Sequence, residues 1–317
     1  MNTQAHDNMP NCPNPLTAED LRLIGEVLHA APEEVTHVSA LKKGMTNRSF
    51  LFSCRGEKYI MRVPGEGTGR LISRREEAAV YNVIQGRGLC EDVLYLNPDT
   101  GRKISRFIEG ARTCNPLDEA ETAACMDKLR SFHRLGLRAD HEFDLFGHID
   151  FYESLWEGRP SAYPDYRAVK ADVFRLKPFL DAQAGEKVLT HIDAVPDNFL
   201  FFQNGQGREE IRLIDWEYAA MQDPHVDVAM FCIYAMYGRA QVDKLIGQYF
   251  TGGCPPLTRV KIYGYIAACG LLWSNWCEYK HSLGVEFGDY AREQYRYARD
   301  YCQIVRRELE RLGEELP

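Results

Sequence analysis

Residues 189–218 constrain the fold more tightly than any other part of this chain. They read LTHIDAVPDNFLF, a short polar gap, then IRLIDWEYA. The apolar run VLTHI leads into a polar loop, and FLFF leads out of it toward a turn at Asn204-Gly205. The run RLI then ends on Asp215. Short β-prone runs on either side of a polar loop predict strands that carry their charged residues at their ends. The loop places His191, Asp193 and Asn198 in the pattern HxDxxxxN. Asp215 follows Asn198 by seventeen positions (215 − 198 = 17), with Glu217 two further on. Carboxylates and one carboxamide in that order suit a nucleoside triphosphate and its magnesium. One Asp receives the proton of an attacking hydroxyl, while the Asn oxygen and the second Asp hold the cation that neutralises phosphate charge.

Asp193 is therefore the candidate base, or at least the residue that orients the acceptor hydroxyl; the plain alternative is an Asp capping a turn. Asn198 and Asp215 are the candidate magnesium ligands, both being hard oxygen donors. Glu217 shares a face with Asp215 if the strand continues, and would bind a second magnesium or hold a metal water; a surface Glu is the equal alternative. His191 reads as structural, a ring nitrogen bonding the loop backbone so that Asp193 is held in position. Further on, MQDPHVDVAMF opens an apolar helix that Asp227 would cap.

The rest of the chain divides by texture. Residues 1–15, rich in Asn and Pro, read as a disordered leader, with neither the basic nor the apolar region of a secretory signal. Residues 16–109 read as a small β-rich lobe. Thr17 with Asp20 opens a helix over LRLIGEVLH, and VTHVSALKK, SFLFSCRG and EKYIMRV are three strand-like runs. Ser73 and Glu76 fit a capping box for a helix from about Arg74 to Gln85, and VLYLN and GRKISRFIE read as two more strands. Gly44-Met45-Thr46-Asn47 falls between the first two strands, where backbone N–H groups and the Thr46 hydroxyl would cover phosphates. In KYIMRV the alternation Tyr59 out, Ile60 in, Met61 out, Arg62 in turns Arg62 to Ile60's side of the sheet. With Glu76 used by the capping box, Glu77 remains to pair with Arg62.

Residues 110–317 read as a larger helical lobe. A helix capped by Asn115, with Pro116 in its first turn, ends near Gly136, and the last helix runs roughly from Gly288 to Leu312. The fold class is accordingly α+β and bilobal, and a cleft between such lobes is a natural nucleotide site.

A net charge of −8 argues against a nucleic-acid or anionic-membrane partner. No apolar run approaches the ~20 residues that span a bilayer. Ten cysteines without a CxxC pair read as buried reduced thiols of a cytoplasmic protein.

Together the loop GMTN, the strand YIMRVPGEGT, the HxDxxxxN loop, LIDWEYA and DPHVDVA resemble the choline/ethanolamine kinase family. That family lies within the wider protein-kinase-like group that includes aminoglycoside phosphotransferases, and the bacterial lic-type choline kinases are the branch most similar. The resemblance runs from about Val38 onward. It implies a bilobal protein-kinase-like fold with ATP and Mg2+ as cofactors and choline as acceptor. It also implies that Arg62 stands where a kinase places its phosphate-contacting lysine, and that adenine docks by backbone at Arg106-Phe107-Ile108-Glu109. An Asp at position 227 braces the catalytic loop in such folds. The most discriminating stretch is LLWSNWCEYKHSLGVEFGDYA. Trp273 and Trp276 share a helix face and, with Phe287 and Tyr290, would build an aromatic box. A quaternary ammonium has no N–H to donate, so ring faces hold it through their quadrupoles. An aromatic core stripe is the alternative for such a helix. Two positions depart from eukaryotic relatives: Ile192 replaces a common Asn, and Ala194 stands where a larger or polar residue is usual. The same chemistry on ethanolamine, thiamine or an aminoglycoside is the nearest rival. A catalytically inactive kinase-like binding module is the second, against which the intact Asp193, Asn198 and Asp215 speak.

Overall fold

The computed structural model describes residues 16–43, 47–65 and 68–316 of the 317. Gly44-Met45-Thr46 and the leader lie outside the described residues. The chain forms two compact units, one built of residues up to Ala78 together with Glu91–Glu109, the other of Ala79–Cys90 together with Gly110 onward.

In the first unit, helix α1 (Ala18–Leu28) starts at a reciprocal capping box. The Thr17 hydroxyl accepts from the Asp20 N–H at 3.1 Å, and the Asp20 carboxylate accepts from the Thr17 N–H at 3.0 Å. Strands β1 (Val35–Lys43), β2 (Asn47–Cys54) and β3 (Glu57–Pro64) follow, then helix α2 (Arg74–Ile84), whose residues from Ala79 on are assigned to the second unit, then β4 (Val93–Leu96) and β5 (Lys103–Arg106). They pair antiparallel in the order β1-β2-β3-β5-β4. The β2–β3 hairpin turns on two residues, Arg55 and Gly56, with φ of 51° and 82°. Two positive φ values are what the tightest hairpin turn requires, and they fix the register that sets Phe50 opposite Met61 and Phe52 opposite Tyr59. These four side chains join Ile24 of α1 and Ile104 of β5 in the unit's hydrophobic core. The alternation along β3 is as expected, but the core lies on the Tyr59 and Met61 side. Arg62 shares the other face with Ile60, and its partners there are charged.

The second unit contains β6 (Arg112–Thr113), α3 (Glu119–His133), α4 (Leu145–Ser154), α5 (Tyr166–Arg175) and α6 (Lys177–Gln183). These are followed by strands β7 (Val188–Thr190), β8 (Phe199–Gln203), β9 (Glu209–Leu213) and β10 (Ala220–Gln222), and by helices α7 (His225–Tyr234), α8 (Arg239–Tyr249), α9 (Pro256–His281) and α10 (Asp289–Leu312). Asp118, not Asn115, caps α3: its carboxylate accepts from the N–H groups of Ala120 (2.8 Å) and Glu121 (3.1 Å). Asn115 instead closes the turn before it, accepting from the Leu117 N–H. Two short polar residues compete for one cap, and the nearer carboxylate satisfies two orphan donors at once. Helix α9 is buried almost all round, as a helix apolar on every face must be. Gly270 makes that possible, since a Cβ there would stand 2.7 Å from the Gln294 carbonyl oxygen and 2.8 Å from the Tyr297 Cβ of α10. Among the described residues no helix is long and apolar enough to cross a membrane. All the described cysteines are free thiols, and all but Cys254 are buried.

Candidate active site

Strand β7 pairs with β10, and β8 with β9; the loop after β7 and the segment after β9 carry the candidate residues. Asp227, in the first turn of α7 and fully buried, gathers that loop. Its carboxylate accepts from the backbone N–H of His191 at 2.9 Å and of Ile192 at 2.8 Å. The His133 ring reaches the same carboxylate, Nε2 lying 2.9 Å from Oδ2, while Nδ1 lies 2.8 Å from the Tyr249 hydroxyl. If Nε2 carries the proton that Asp227 accepts, a neutral ring leaves Nδ1 to accept from Tyr249. These bonds hold Ile192 at φ +65°. Left-handed backbone is a true outlier for a β-branched residue, so the turn just before Asp193 persists because its surroundings fix it.

His191 is completely buried, and its Nε2 donates to the carbonyl oxygen of Ile214 at 3.0 Å, with its ring 4.5 Å from that of Trp216. The Ile214 N–H returns a bond to the Asn198 carbonyl at 3.0 Å. The loop and the segment carrying Asp215 are thereby tied on both sides of the functional residues. Asp215 itself sits at φ +66°. The Asn198 Nδ2 donates to the Asp193 backbone oxygen (2.9 Å) and to its carboxylate (3.1 Å). An amide that donates through nitrogen keeps its oxygen for a hard cation. Asp193 is half-buried, and its carboxyl is pushed up to about 7. Burial is the chief cause and the charge of Glu217 the next, with Asn198 pulling the other way and Asp227 and Asp197 adding. Glu217 is buried and not at the surface.

Aromatic rings continue from this cluster in an unbroken series. Tyr218 meets Trp273 edge-on at 5.7 Å, Trp273 meets Trp276 at 5.4 Å, Trp276 meets Phe287 at 5.4 Å, and Phe287 meets Tyr290 at 6.5 Å. Tyr234 closes the arc against Tyr290 at 5.8 Å. Both tryptophans are buried, with the Lys280 ammonium 5.7 Å from the Trp276 ring, whereas Phe287 and Tyr290 are half-buried. Burial pushes the Tyr290 hydroxyl up, and the charge of Asp193 contributes. The hydroxyls of Tyr152 (α4) and Tyr218 are likewise pushed up, by burial first, with Glu217 and Asp193 adding.

In the first unit, Arg62 grips Glu77 with both guanidinium nitrogens (Nη2 to Oε2 at 2.9 Å) and donates to the Gly101 carbonyl at 3.0 Å. Arg74 adds a bond to Glu77 at 2.9 Å and one to the Asn47 side-chain oxygen at 3.1 Å. Lys103 pairs with Glu91 alongside. All six side chains are buried. Burial alone would raise the Glu77 carboxyl, but the charge and hydrogen bonds of Arg62, with Lys103 and Arg74, outweigh it and hold the group below the usual carboxylate range. At 106–109 the N–H groups of Arg106 and Phe107 are already committed to the carbonyls of Asp92 (2.9 Å) and Lys58 (3.0 Å).

Sequence reasoning passed over His133, Tyr249, Tyr152, Tyr218 and Tyr234. Tyr218 had a signal, standing next to Glu217 in the motif already singled out. The others lie on separate helices and have no local pattern that announces them.

The profile of the phosphotransferase enzyme family (APH) matches residues 37–263. Protein LicA of Haemophilus influenzae is 26% identical over 282 residues, spanning 84% of this chain and 80% of its own. The crystal structure of choline kinase LicA from Streptococcus pneumoniae superposes with a TM-score of 0.77 at 29% identity, covering 89% of this chain and 98% of that one. A LicA structure in complex with AMP gives a TM-score of 0.75 at 29% identity, over 90% and 98% of the two chains. The fold is protein-kinase-like, with an antiparallel sheet in the first unit and a mostly helical second unit.

Proposed function

Since this chain belongs to the phosphotransferase enzyme family, we propose that it transfers the γ-phosphoryl group of ATP, as the magnesium complex, to the hydroxyl of choline. The single observation that carries this reading is the loop at 191–198. It sets Asp193 against Asn198, and the Tyr218 end of the aromatic arc follows Asp215 and Glu217 directly along the chain. Choline kinase LicA at 29% identity and its AMP-bound counterpart support the acceptor and the nucleotide.

Asp193 orients the acceptor hydroxyl and takes its proton as the oxygen attacks phosphorus. A new P–O bond forms, the bond to ADP breaks, and the negative charge leaves with ADP. Asn198 and Asp215 would hold magnesium, and Glu217 would carry a metal water or a second ion. The donor set fits: an amide oxygen and two carboxylates are hard ligands. Among the described residues no cluster of three or more His, Cys, Asp or Glu could hold a metal alone; magnesium is ordinarily held by one or two protein oxygens together with substrate phosphates and waters. When bound, the ion neutralises charge that builds on the transferring group. His191 and Asp227 position the loop. Arg62, fixed by Glu77, and the backbone of residues 44–47 serve the nucleotide phosphates. The adenine takes its hydrogen bonds from backbone groups at residues 106–109 other than the Arg106 and Phe107 N–H groups. Trp273, Trp276, Phe287 and Tyr290 hold the trimethylammonium by their ring faces.

The test is a panel of acceptors (choline, ethanolamine, thiamine, an aminoglycoside) with ATP and Mg2+, read by ADP release and by mass of the product. Phosphocholine as the preferred product is the expected result. Preference for ethanolamine would keep the chemistry and replace the acceptor. ATP consumption with none of them would restore the inactive binding module.

A further inference from the structure

Asp197 has no part in the scheme above, yet it stands in the middle of it. It occupies the 3-10 turn Pro196–Asn198, immediately before Asn198 and four positions after Asp193, and it is half-buried. The Tyr234 hydroxyl donates to its Oδ2 at 2.9 Å, and the Tyr234 ring meets Tyr290 at 5.8 Å, closing the far end of the aromatic arc. Burial pushes the Tyr234 hydroxyl up, and the charges of Asp197 and Asp193 both add to the shift, so the two carboxylates act on one phenol.

Rings alone discriminate poorly. A trimethylammonium and a tert-butyl group have nearly the same shape, and both shed water against Trp and Phe. The ring quadrupole adds only a modest preference for the cation. A carboxylate sharpens the choice, because it attracts the diffuse charge of a quaternary ammonium without needing an N–H donor. A phenol that donates to a carboxylate is also polarised so that its ring becomes a better partner for a cation. The loop then presents two acids, Asp193 for the hydroxyl and Asp197 for the ammonium, which suits an alcohol whose charge is two carbons from its oxygen.

We propose that Asp197, held by Tyr234, is a specificity-determining residue whose carboxylate makes the acceptor site prefer a cationic alcohol over a neutral one of the same shape. This rests on the reading of the chain as a kinase for choline or a similar amino alcohol.

The experiment uses the full-length protein at saturating Mg·ATP with two acceptors, choline and 3,3-dimethylbutan-1-ol, in which carbon replaces the nitrogen. Where turnover of the neutral alcohol is slow, its inhibition constant against choline gives the comparison. Asp197→Asn should lower kcat/KM for choline on the order of tenfold to a hundredfold, as loss of a close charge partner does. It should change the value for the neutral alcohol by no more than about twofold and leave the KM for ATP unaltered. Asp197→Glu should recover much of the preference, and Tyr234→Phe, which keeps the ring but removes the hydroxyl that donates to Asp197, should lose part of it. A preference for choline that survives intact in Asp197→Asn overturns the role of Asp197 while the kinase reading stands. So does an equal fall for both acceptors. An unaltered protein that phosphorylates no amino alcohol brings down the kinase reading and Asp197 with it.

Discussion

Glu77 and Asp193 are carboxyl groups of similar chemistry in opposite surroundings. Glu77 is sunk between Arg62 and Arg74, and its carboxyl is drawn below the ordinary range. Asp193 sits among acids, with Glu217, Asp227 and Asp197 all acting on it, and its carboxyl is pushed up to about 7. The difference separates two uses of charge. A carboxylate ringed by cations is held ionised and makes a rigid anchor. One placed among acids has its proton affinity raised toward neutrality, where a group can take a proton in a reaction. Glu77 thus belongs to a closed set of charges, while Asp193 is a carboxyl whose ionised form its surroundings disfavour.

Substitution at Asp193 gives the largest test of this contrast. Asp193→Asn should lower kcat by about 10²–10⁴-fold, as loss of a general base does, with nucleotide affinity by calorimetry unchanged. The same variant should melt no lower than the parent, since it removes a carboxyl that burial and Glu217 disfavour. Near-normal turnover would break the assignment.

Glu77→Ala should do the reverse and unfold the protein more easily by about 3–5 kcal/mol in urea titrations, because two buried guanidinium groups lose the carboxylate between them. The pH dependence follows from the depressed carboxyl. Its stabilisation is complete above the ordinary Glu range and is lost as pH falls through the folded-state value. Asp223 behaves alike: burial opposes its charge, but His225 and Lys261 (2.7 Å away) outweigh burial and depress its carboxyl. Stability should therefore drop below about pH 4, and the drop should be shallower in Glu77→Gln. An equally steep acid limb in that variant would remove Glu77 from the account.

His133→Ala tests the second unit's own anchor. It takes one of three donors from the buried Asp227 carboxylate, a cost of about 1–3 kcal/mol. A fall in kcat at constant KM for both substrates, partly restored by His133→Gln, would show that the brace acts on the loop; loss of stability alone would not. The smallest effect belongs to Tyr290→Leu, which keeps bulk but drops the quadrupole. The acceptor KM should rise by roughly two- to thirtyfold, matching about 0.5–2 kcal/mol, with the KM for ATP constant.

Local physics was legible in the sequence wherever a few neighbouring residues decide the outcome. Thr17 and Asp20 cap α1 as their spacing requires, and period-2 alternation was enough to put Arg62 on the face away from Tyr59. The reading failed where alternatives compete at close range, as between Asn115 and Asp118 for one helix cap. It failed again on which face of β3 is the core, because that depends on where α1 packs. The brace on Asp227 was only half visible. Asp227 stood in a recognisable motif, but His133 and Tyr249 reach it from α3 and α8, and only the packing of three helices brings them together. Tyr234 and Asp197 meet for the same reason, with α7 carrying one and the loop after β7 the other.

Ile192 has a consequence for how this chain would change under selection. A branched residue fixed at φ +65° stores backbone strain that Gly or Asn would relieve, yet its side chain is completely buried and either replacement would empty that space. The packing lost, about 2–5 kcal/mol for a buried aliphatic chain, outweighs the about 1–2 kcal/mol of strain. A population screened only for survival at high temperature should therefore retain the branched residue, and the taut turn before Asp193 with it.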